Sequence, residues 1–205
     1  MDQTNTDKPI NLNSARFLVS AHYKRDWPEP TRSELAFAGR SNVGKSSAIN
    51  AITRRRGLAK TSKTPGRTQQ IVFFELDCGH RLVDLPGYGF AKVPLDIRRH
   101  WERIISDYLA NRETLRALIL PMDARRPLTP LDRQMLDWSA AANLAVHILL
   151  TKSDKLSRNQ AARALLSVRR ELADVPRTTV QLFSAQTRTG VDEASKAIIG
   201  FLEAE

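Results

Sequence analysis

Residues 39–46 have the types and the spacing that bind phosphate, Gly-Arg-Ser-Asn-Val-Gly-Lys-Ser. Gly39 and Gly44 let the backbone turn tightly around an anion, so that successive N–H groups and the N-terminus of a following helix bind phosphate oxygens. Lys45 supplies a positive charge for terminal phosphates, and the Ser46 hydroxyl can ligate Mg²⁺. An apolar run before the loop and a helix-like run after it distinguish it from a chance glycine loop with a surface lysine. The pattern alone does not separate ATP from GTP.

A second candidate is the sequence Asp-Leu-Pro-Gly at residues 84–87, at the end of an apolar run. An aspartate at the carboxyl end of a strand faces the ligand crevice of an open α/β sheet. Asp84 can therefore hold Mg²⁺ through water, while the Gly87 N–H can approach a γ-phosphate. In isolation this pattern is usually only a turn. Its position one hairpin after the phosphate-binding loop favours a role in the same site.

Two later segments point to the base, Thr-Lys-Ser-Asp at residues 151–154 and Phe-Ser-Ala at residues 183–185. Guanine presents a ring N–H and an exocyclic amine side by side, and one carboxylate accepts both protons, whereas adenine offers no such pair. Asp154 is therefore the predicted base selector, with the Lys152 stem over the ring. The small residues of the later segment let a backbone N–H reach the guanine carbonyl. The alternative interpretation of the earlier segment is a helix cap at Ser153 or Asp154.

Residues 60–69, between the first two candidates, are rich in hydroxyls and cations, and a Pro-Gly pair makes them irregular. A Mg²⁺-binding threonine is expected on such a loop, which a γ-phosphate would order. Thr64 and Thr68 are both candidates, and the residue pattern does not choose between them.

The elements that position these segments alternate between strand and helix. The predicted strands are apolar runs at 35–38, 70–76, 81–85, 115–122, 145–150 and 178–183, the second and third forming a hairpin through 77–80. The predicted helices are at 46–52, 95–112, 128–142, 160–173 and 191–202. This alternation predicts an α/β three-layer sandwich, with a mostly parallel six-stranded sheet, one antiparallel edge strand and helices on both faces.

Composition and charge limit the class of protein. The 205 residues are 41% hydrophobic and 26% charged, typical of a globular soluble chain, and the single cysteine, Cys78, excludes an intramolecular disulfide. No apolar run approaches the ~20 residues that span a bilayer, and the polar start is unlike a signal peptide. We expect a cytoplasmic monomer without a membrane span. The polar residues 1–31 predict an N-terminal extension, followed by a single nucleotide-binding domain at 32–205.

The net charge of +10, from 32 Lys and Arg against 22 Asp and Glu, favours a polyanionic partner such as nucleic acid. Solubility, or counter-charge for a bound nucleotide, is the alternative explanation. One cluster of basic residues lies between the helix after the phosphate-binding loop and the loop at 60–69, and it comprises Arg54, Arg55, Arg56, Lys60, Lys63 and Arg67. Further cations are Arg98, Arg99, Arg125 and Arg126.

Together the motifs resemble those of the EngB (YihA/YsxC) family of bacterial Era-like P-loop GTPases, over nearly the whole chain. The most specific matches are residues 38–47, 64–69, 84–89 and 151–154. Thr151 matches the family's threonine at the start of the guanine motif, where related GTPases carry asparagine. The resemblance implies a P-loop NTPase fold and an enzyme that converts GTP to GDP and phosphate with Mg²⁺. It also implies a partner, the precursor of the large ribosomal subunit with its ribosomal RNA, and a role in cell division and septation.

The predicted site falls in five segments of the chain. Its nucleotide-binding residues are Gly39, Arg40, Ser41, Asn42, Val43, Gly44, Lys45, Ser46, Ser47, Gly66, Arg67, Thr68, Gln69, Gln70, Asp84, Leu85, Pro86, Gly87, Thr151, Lys152, Ser153, Asp154, Phe183, Ser184 and Ala185. The predicted catalytic residues are Asn42, Lys45 and Thr68. The resemblance implies that Thr68, not Thr64, joins Ser46 and Asp84 as a magnesium ligand.

Two positions bear on the rate of hydrolysis. Ras-like enzymes use a glutamine after the second motif to orient the attacking water, and this chain has Tyr88 there. No arginine finger is evident either, so we expect weak intrinsic activity. Asn42 suggests a potassium ion near the β- and γ-phosphates, as in related GTPases with asparagine at this position. A purely structural role for Asn42 in the loop is an equal alternative.

The preferred function is a switch in which GTP orders residues 57–70 and 87–92 and so creates a surface for pre-ribosomal RNA. One alternative is a division-site interaction protein that recruits protein partners in its GTP state. Another is a P-loop ATPase or small-molecule kinase, against which Asp154 argues.

Overall fold

The computed structural model describes residues 8–60, 70–88 and 95–204, without the side chains of residues 95–98, 100 and 101. The strands are β1 Arg16–Ala21, β2 Glu34–Phe37, β3 Ile71–Glu75, β4 Arg81–Asp84, β5 Leu115–Asp123, β6 Ala145–Thr151 and β7 Thr178–Leu182. The helices are α1 Lys45–Ile52, α2 Leu95–Asn111, α3 Pro130–Ala141, α4 Arg158–Glu171 and α5 Val191–Glu203. No helix within the described ranges is long and apolar enough to cross a bilayer.

The strands form one sheet in the order β1-β3-β4-β2-β5-β6-β7. The pairs β1–β3 and β3–β4 are antiparallel, and the remaining pairs are parallel. Because two antiparallel steps restore the original direction, only β3 runs against the other strands of this sheet. The predicted α/β sandwich with one antiparallel strand is confirmed, as is the hairpin that joins β3 to β4.

Within the described residues the sheet has seven strands rather than the predicted six, because the N-terminal segment supplies β1. Arg16 pairs with Glu75 and Ala21 with Ile71, which covers the outer edge of β3. The expectation that β3 would be an edge strand is therefore wrong. The sequence did not predict this strand because its apolar run, Phe17 to Val19, is only three residues long and lies within a polar segment. The division of the chain at residue 31 stays a prediction.

Successive side chains of each strand point to opposite faces of the sheet and pack in two apolar layers, one on each face. In β2, Leu35 and Phe37 belong to the layer covered by α1 and α5. Ala36 and Ala38 belong to the other layer, against α2, α3 and α4. Both faces being buried explains why the parallel strands read as continuous apolar runs.

One carboxylate lies fully buried at the start of β2, where two arginines and a tyrosine surround it. Glu34 is 0% exposed and accepts hydrogen bonds from Arg112 Nε at 2.8 Å and Nη2 at 2.5 Å, from Arg81 Nη1 at 3.2 Å and from Tyr108 Oη at 2.7 Å. The same guanidinium groups also donate to the carbonyls of Glu29 at 2.6 Å and Pro28 at 2.9 Å. The cluster therefore ties the N-terminal segment to β2, β4 and the end of α2.

We expect Glu34→Gln to destabilise the fold by about 3 kcal/mol, because removing one member of a buried ion pair leaves the remaining charges uncompensated. Urea unfolding followed by circular dichroism measures the change. The matched control is Glu75→Gln, which removes the partner of Arg16 in a half-exposed pair and should cost less than about 1 kcal/mol. Equal losses in the two variants would contradict this assignment.

Candidate functional site

The phosphate-binding loop connects β2 to α1, as the sequence predicted. Gly44 is the residue before α1 and adopts φ 102°, a left-handed conformation that side chains rarely tolerate. Asn42 also has a positive φ, 60°, a region that asparagine tolerates better than most residues. The loop therefore reverses tightly. No side chain among the described residues caps the N-terminus of α1, so its N–H groups are available to a ligand.

Lys45 and Asp84 meet directly, Lys45 Nζ donating to Asp84 Oδ1. Register brings them together, since Phe37 of β2 pairs with Asp84 at the end of the parallel strand β4. Both side chains are close to nine-tenths buried, with exposures of 12% and 11%. The Ser46 hydroxyl and the Asp84 carboxylate are hard oxygen donors, the ligand type that Mg²⁺ prefers.

The loop after β4 is joined to the phosphate-binding loop by backbone hydrogen bonds. Ser41 N donates to Tyr88 O at 2.9 Å, Ser41 Oγ approaches the same carbonyl at 3.2 Å, and Tyr88 N donates to Gly39 O at 3.3 Å. The Tyr88 side chain, in contrast, packs in the apolar layer under α2 and α3 and is 7% exposed. Burial raises the pKa of its hydroxyl well above the ordinary tyrosine value. A buried neutral phenol cannot position an attacking water.

The guanine motif holds the phosphate-binding loop from the other side. Thr151 Oγ1 lies 2.6 Å from Val43 O and 3.0 Å from Met122 O, so this hydroxyl joins β6, β5 and the loop. Lys152 Nζ donates to Asn42 O at 2.7 Å. The lysine stem therefore lies across the edge of the loop, next to where the base would be read.

The two base-reading segments contact each other. Ser153 N and Oγ both donate to Phe183 O, at 3.2 and 3.0 Å. Ser184 Oγ donates to Asp154 Oδ1 at 2.6 Å, and this hydrogen bond is the main cause of a lowered pKa for the Asp154 carboxyl. Asp154 therefore stays ionised at neutral pH, the form that can accept two guanine protons.

Comparison with known proteins agrees with this geometry. A family model described as 50S ribosome-binding GTPase matches residues 34–152. A probable GTP-binding protein EngB from Thiobacillus denitrificans is 56% identical over 200 residues, which are 98% of this chain and 96% of the relative. The chain belongs to the EngB family of GTP-binding proteins.

Solved structures share the fold. The crystal structure of a probable GTP-binding protein EngB has a TM-score of 0.68 at 21% identity, covering 83% of this chain and 98% of the other. A structure of Era in complex with MgGDPNP and nucleotides 1506–1542 of 16S ribosomal RNA has a TM-score of 0.64 at 18% identity, covering 84% of this chain and 57% of Era.

The structure brings four of the five predicted segments of this EngB chain together, residues 39–47, 84–87, 151–154 and 183–185. Leu85 also contacts β2, because its N–H donates to Phe37 O at 2.9 Å. Gln70, at the end of the fifth segment, instead hydrogen-bonds the His22 ring. The remaining predicted residues of that segment, Gly66, Arg67, Thr68 and Gln69, lie outside the described residues, as do the competing Thr64 and the cations Lys63 and Arg67.

Sequence reasoning missed Gly190, which immediately precedes α5 and closes the predicted base-reading loop of this EngB chain. Its φ is 72°, and a Cβ there would collide with the Leu182 carbonyl and the Gln181 amide. Gln181 Nε2 donates to Gly190 O at 2.7 Å, and Ser184 N donates to Thr189 O at 2.9 Å. The signal in the sequence was a glycine directly before an amphipathic helical run.

Two aspartates of the site were also missed, although each carries a local signal. Asp123 ends β5 just as Asp84 ends β4, and it binds both Lys152 and Arg125. Asp132 caps α3 by accepting from Thr129 N and Oγ1, and its other oxygen accepts from Arg40 Nε at 3.2 Å. The Arg40 side chain, predicted to bind nucleotide, is thus engaged by a fully buried carboxylate.

Proposed function

We propose that this chain binds GTP and GDP with Mg²⁺ and acts as a nucleotide-dependent switch in the assembly of the large ribosomal subunit, with a need for it in cell division and septation. Ribosomal RNA of the subunit precursor is the proposed partner, and the chain works as a cytoplasmic monomer. The observation that carries the proposal is the meeting of the phosphate-binding loop, Asp84 and the two base-reading segments in one site. Support for the ribosomal partner comes from the net charge of +10 and from the description of the matching family model.

The residues divide the work on the nucleotide. The α1 N-terminus and Lys45 bind the phosphates, Asp154 reads the guanine, and Ser46 and Asp84 would hold Mg²⁺, with Thr68 as the proposed third protein ligand. The metal would supply charge neutralisation at the β- and γ-phosphate oxygens. Lys45 stabilises negative charge that develops as the terminal phosphoryl group transfers to water.

We also propose that intrinsic GTP hydrolysis is slow, because Tyr88 stands where Ras-like enzymes have a glutamine. Its side chain is packed in the core rather than available to a water molecule, and its main chain is committed to Ser41 and Gly39. A partner that completes the site would then set the rate of switching.

The basic residues that follow α1 are placed to contact a polyanion. Arg54, Arg55 and Arg56 are exposed between α1 and the predicted switch segment, and within the described residues Arg54 forms one ion pair, an exposed contact with Asp192 at 3.5 Å. Phosphate contacts from such residues would give RNA affinity that depends on salt. The fold of Era is seen with MgGDPNP and ribosomal RNA, which supports the same kind of partner here.

Sedimentation of the protein with purified ribosomal subunits tests the function. We expect co-sedimentation with large subunits in a non-hydrolysable GTP analogue and its loss in GDP. Equal recovery in both nucleotides would contradict the switch. Crosslinking in cells separates the alternative: recovery of division proteins without ribosomal RNA would favour a division-site interaction protein.

Potassium acceleration is the expected consequence of Asn42. Its side-chain amide is exposed and makes no hydrogen bond within the described part of the chain, while its carbonyl is held by Lys152. We expect GTP turnover to be about tenfold faster in K⁺ than in Na⁺, since a cation beside the phosphates stabilises developing charge. Asn42→Ser should lose most of this difference. Equal rates in both salts, with and without large subunits, would leave Asn42 a structural role only.

A further inference from the structure

A cavity adjoins the phosphate-binding loop on the side of the loop between β5 and α3. Its volume is about 410 Å³, and its lining residues are Arg40, Asp123, Arg125 and Arg126. This volume is large enough to hold a phosphate group together with water. Apart from Arg40, its residues lie outside the predicted nucleotide motifs.

The charge of this cavity favours an anion. Arg40 is held by Asp132 and Arg125 by Asp123, but the exposed Arg126 guanidinium makes no ion pair within the described residues. Arg126 is positioned by its main chain, whose carbonyl lies 3.5 Å from Arg40 Nη2. Three guanidinium groups face one lining carboxylate, and a guanidinium fork matches the oxygens of a phosphate.

One carboxylate connects this cavity to the guanine motif. Arg125 binds Asp123 with two nitrogens, at 2.9 and 2.7 Å, and Lys152 Nζ binds the same carboxylate at 3.1 Å. Lys152 in turn holds Asn42 O. The hydrogen bonds from Arg125 are the main cause of a strongly lowered pKa for Asp123, so this carboxylate is ionised at physiological pH. Arg125 and Lys152 therefore share one negative charge.

We propose that this cavity binds a phosphate group of the RNA backbone, and that its occupation is coupled to the guanine site through Asp123. The inference rests on the proposed function, because that function supplies the RNA. A phosphate beside Arg126 competes with Asp123 for the Arg125 N–H groups. Lys152 then becomes the principal partner of Asp123 and is held more firmly beside the base. GTP should accordingly dissociate more slowly when RNA is bound.

The site is tested by fluorescence anisotropy with a labelled transcript of large-subunit ribosomal RNA and the full chain loaded with a non-hydrolysable GTP analogue. Arg126→Glu should bind this RNA about tenfold more weakly, with a shallower salt dependence, because phosphate contacts are lost. The matched control, Arg163→Glu, makes the same charge change on the exposed face of α4 and should stay within about twofold of the wild type.

The outcomes separate the cavity as an RNA-binding site from the proposed function. Equal affinity of Arg126→Glu and Arg163→Glu, both close to wild type, overturns the cavity as the RNA site while leaving the proposed function intact. A wild-type chain that binds no ribosomal RNA overturns both. Inorganic phosphate that slows release of the GTP analogue as strongly as RNA does would assign the cavity to free phosphate and overturn the RNA source.

The coupling is tested by the dissociation rate of a fluorescent, non-hydrolysable GTP analogue. RNA should slow release from the wild type about fivefold, and the analogue should raise RNA affinity by the same factor, because coupling between two binding sites is reciprocal. Arg125→Gln loosens the hold on Asp123, so it should release the analogue slowly without RNA and respond little when RNA is added. Wild-type release from Arg125→Gln, with an undiminished RNA effect, would overturn the route through Asp123.

Discussion

Asp154→Asn is expected to change the preferred base from guanine to xanthine. The amide keeps an oxygen that can accept the 2.6 Å hydrogen bond from Ser184 Oγ, so the loop should keep its shape. The second carboxylate acceptor, however, becomes an NH₂ donor, which faces the guanine amine unfavourably. Xanthine carries a carbonyl oxygen at that position and accepts from the new donor. Sites built around such hydrogen bonds reject the wrong partner by about 10⁴-fold.

Competitive displacement of fluorescent GDP by GDP and by XDP measures this change as the ratio of their dissociation constants. We expect the ratio to shift by about 10⁴ in favour of xanthine. Asp174→Asn makes the same substitution at an exposed position after α4 and should leave the ratio unchanged. An Asp154→Asn chain that still prefers GDP would show that the base is selected elsewhere in the site.

Lys45→Ala is expected to lower single-turnover GTP hydrolysis by about 10³-fold. The ammonium group is the only side-chain cation that the described structure places on Asp84, in a pocket where both side chains are nearly buried. Charge that is fixed in such a site stabilises a transition state far more than exposed charge does, and loss of one such group costs about 10²–10³ in rate. Weaker nucleotide binding should accompany the loss, because the same group meets the ground-state phosphates.

Lys196→Ala on the exposed side of α5 provides the matched control and should hydrolyse GTP at the wild-type rate. Thermal melting of both variants by circular dichroism checks that the fold persists. Hydrolysis by Lys45→Ala within about tenfold of the wild type would show that other groups carry the phosphate charge.

The sequence was sufficient to predict that four candidate segments meet, because each lies at or next to the end of a strand. The glycine at 44, the lysine and hydroxyl after it, and the aspartates at 84 and 154 each follow a strand, and parallel strands deliver their carboxyl ends to one edge. Because a parallel sheet by itself brings those ends to one edge, residue type and spacing were enough to place four segments in one site.

The contacts that were missed join residues far apart in the chain. Glu34 meets Arg112 across 78 positions, and Arg40 meets Asp132 across 92. Arginine and aspartate are usually solvated, so their types alone do not reveal burial. The strand β1 was missed for a related reason, since its partner β3 lies some fifty residues later and its own pattern is half exposed.

The Glu34 cluster has a practical consequence for anyone shortening this protein. Trimming the chain to begin at residue 32 would remove the Pro28 and Glu29 carbonyls, and two buried guanidinium groups would each lose an acceptor. It would also strip β1 from β3 and expose a row of unpaired backbone groups, the arrangement through which sheets join edge to edge and precipitate. The first thirty residues should therefore decide whether a recombinant domain stays dispersed at high concentration.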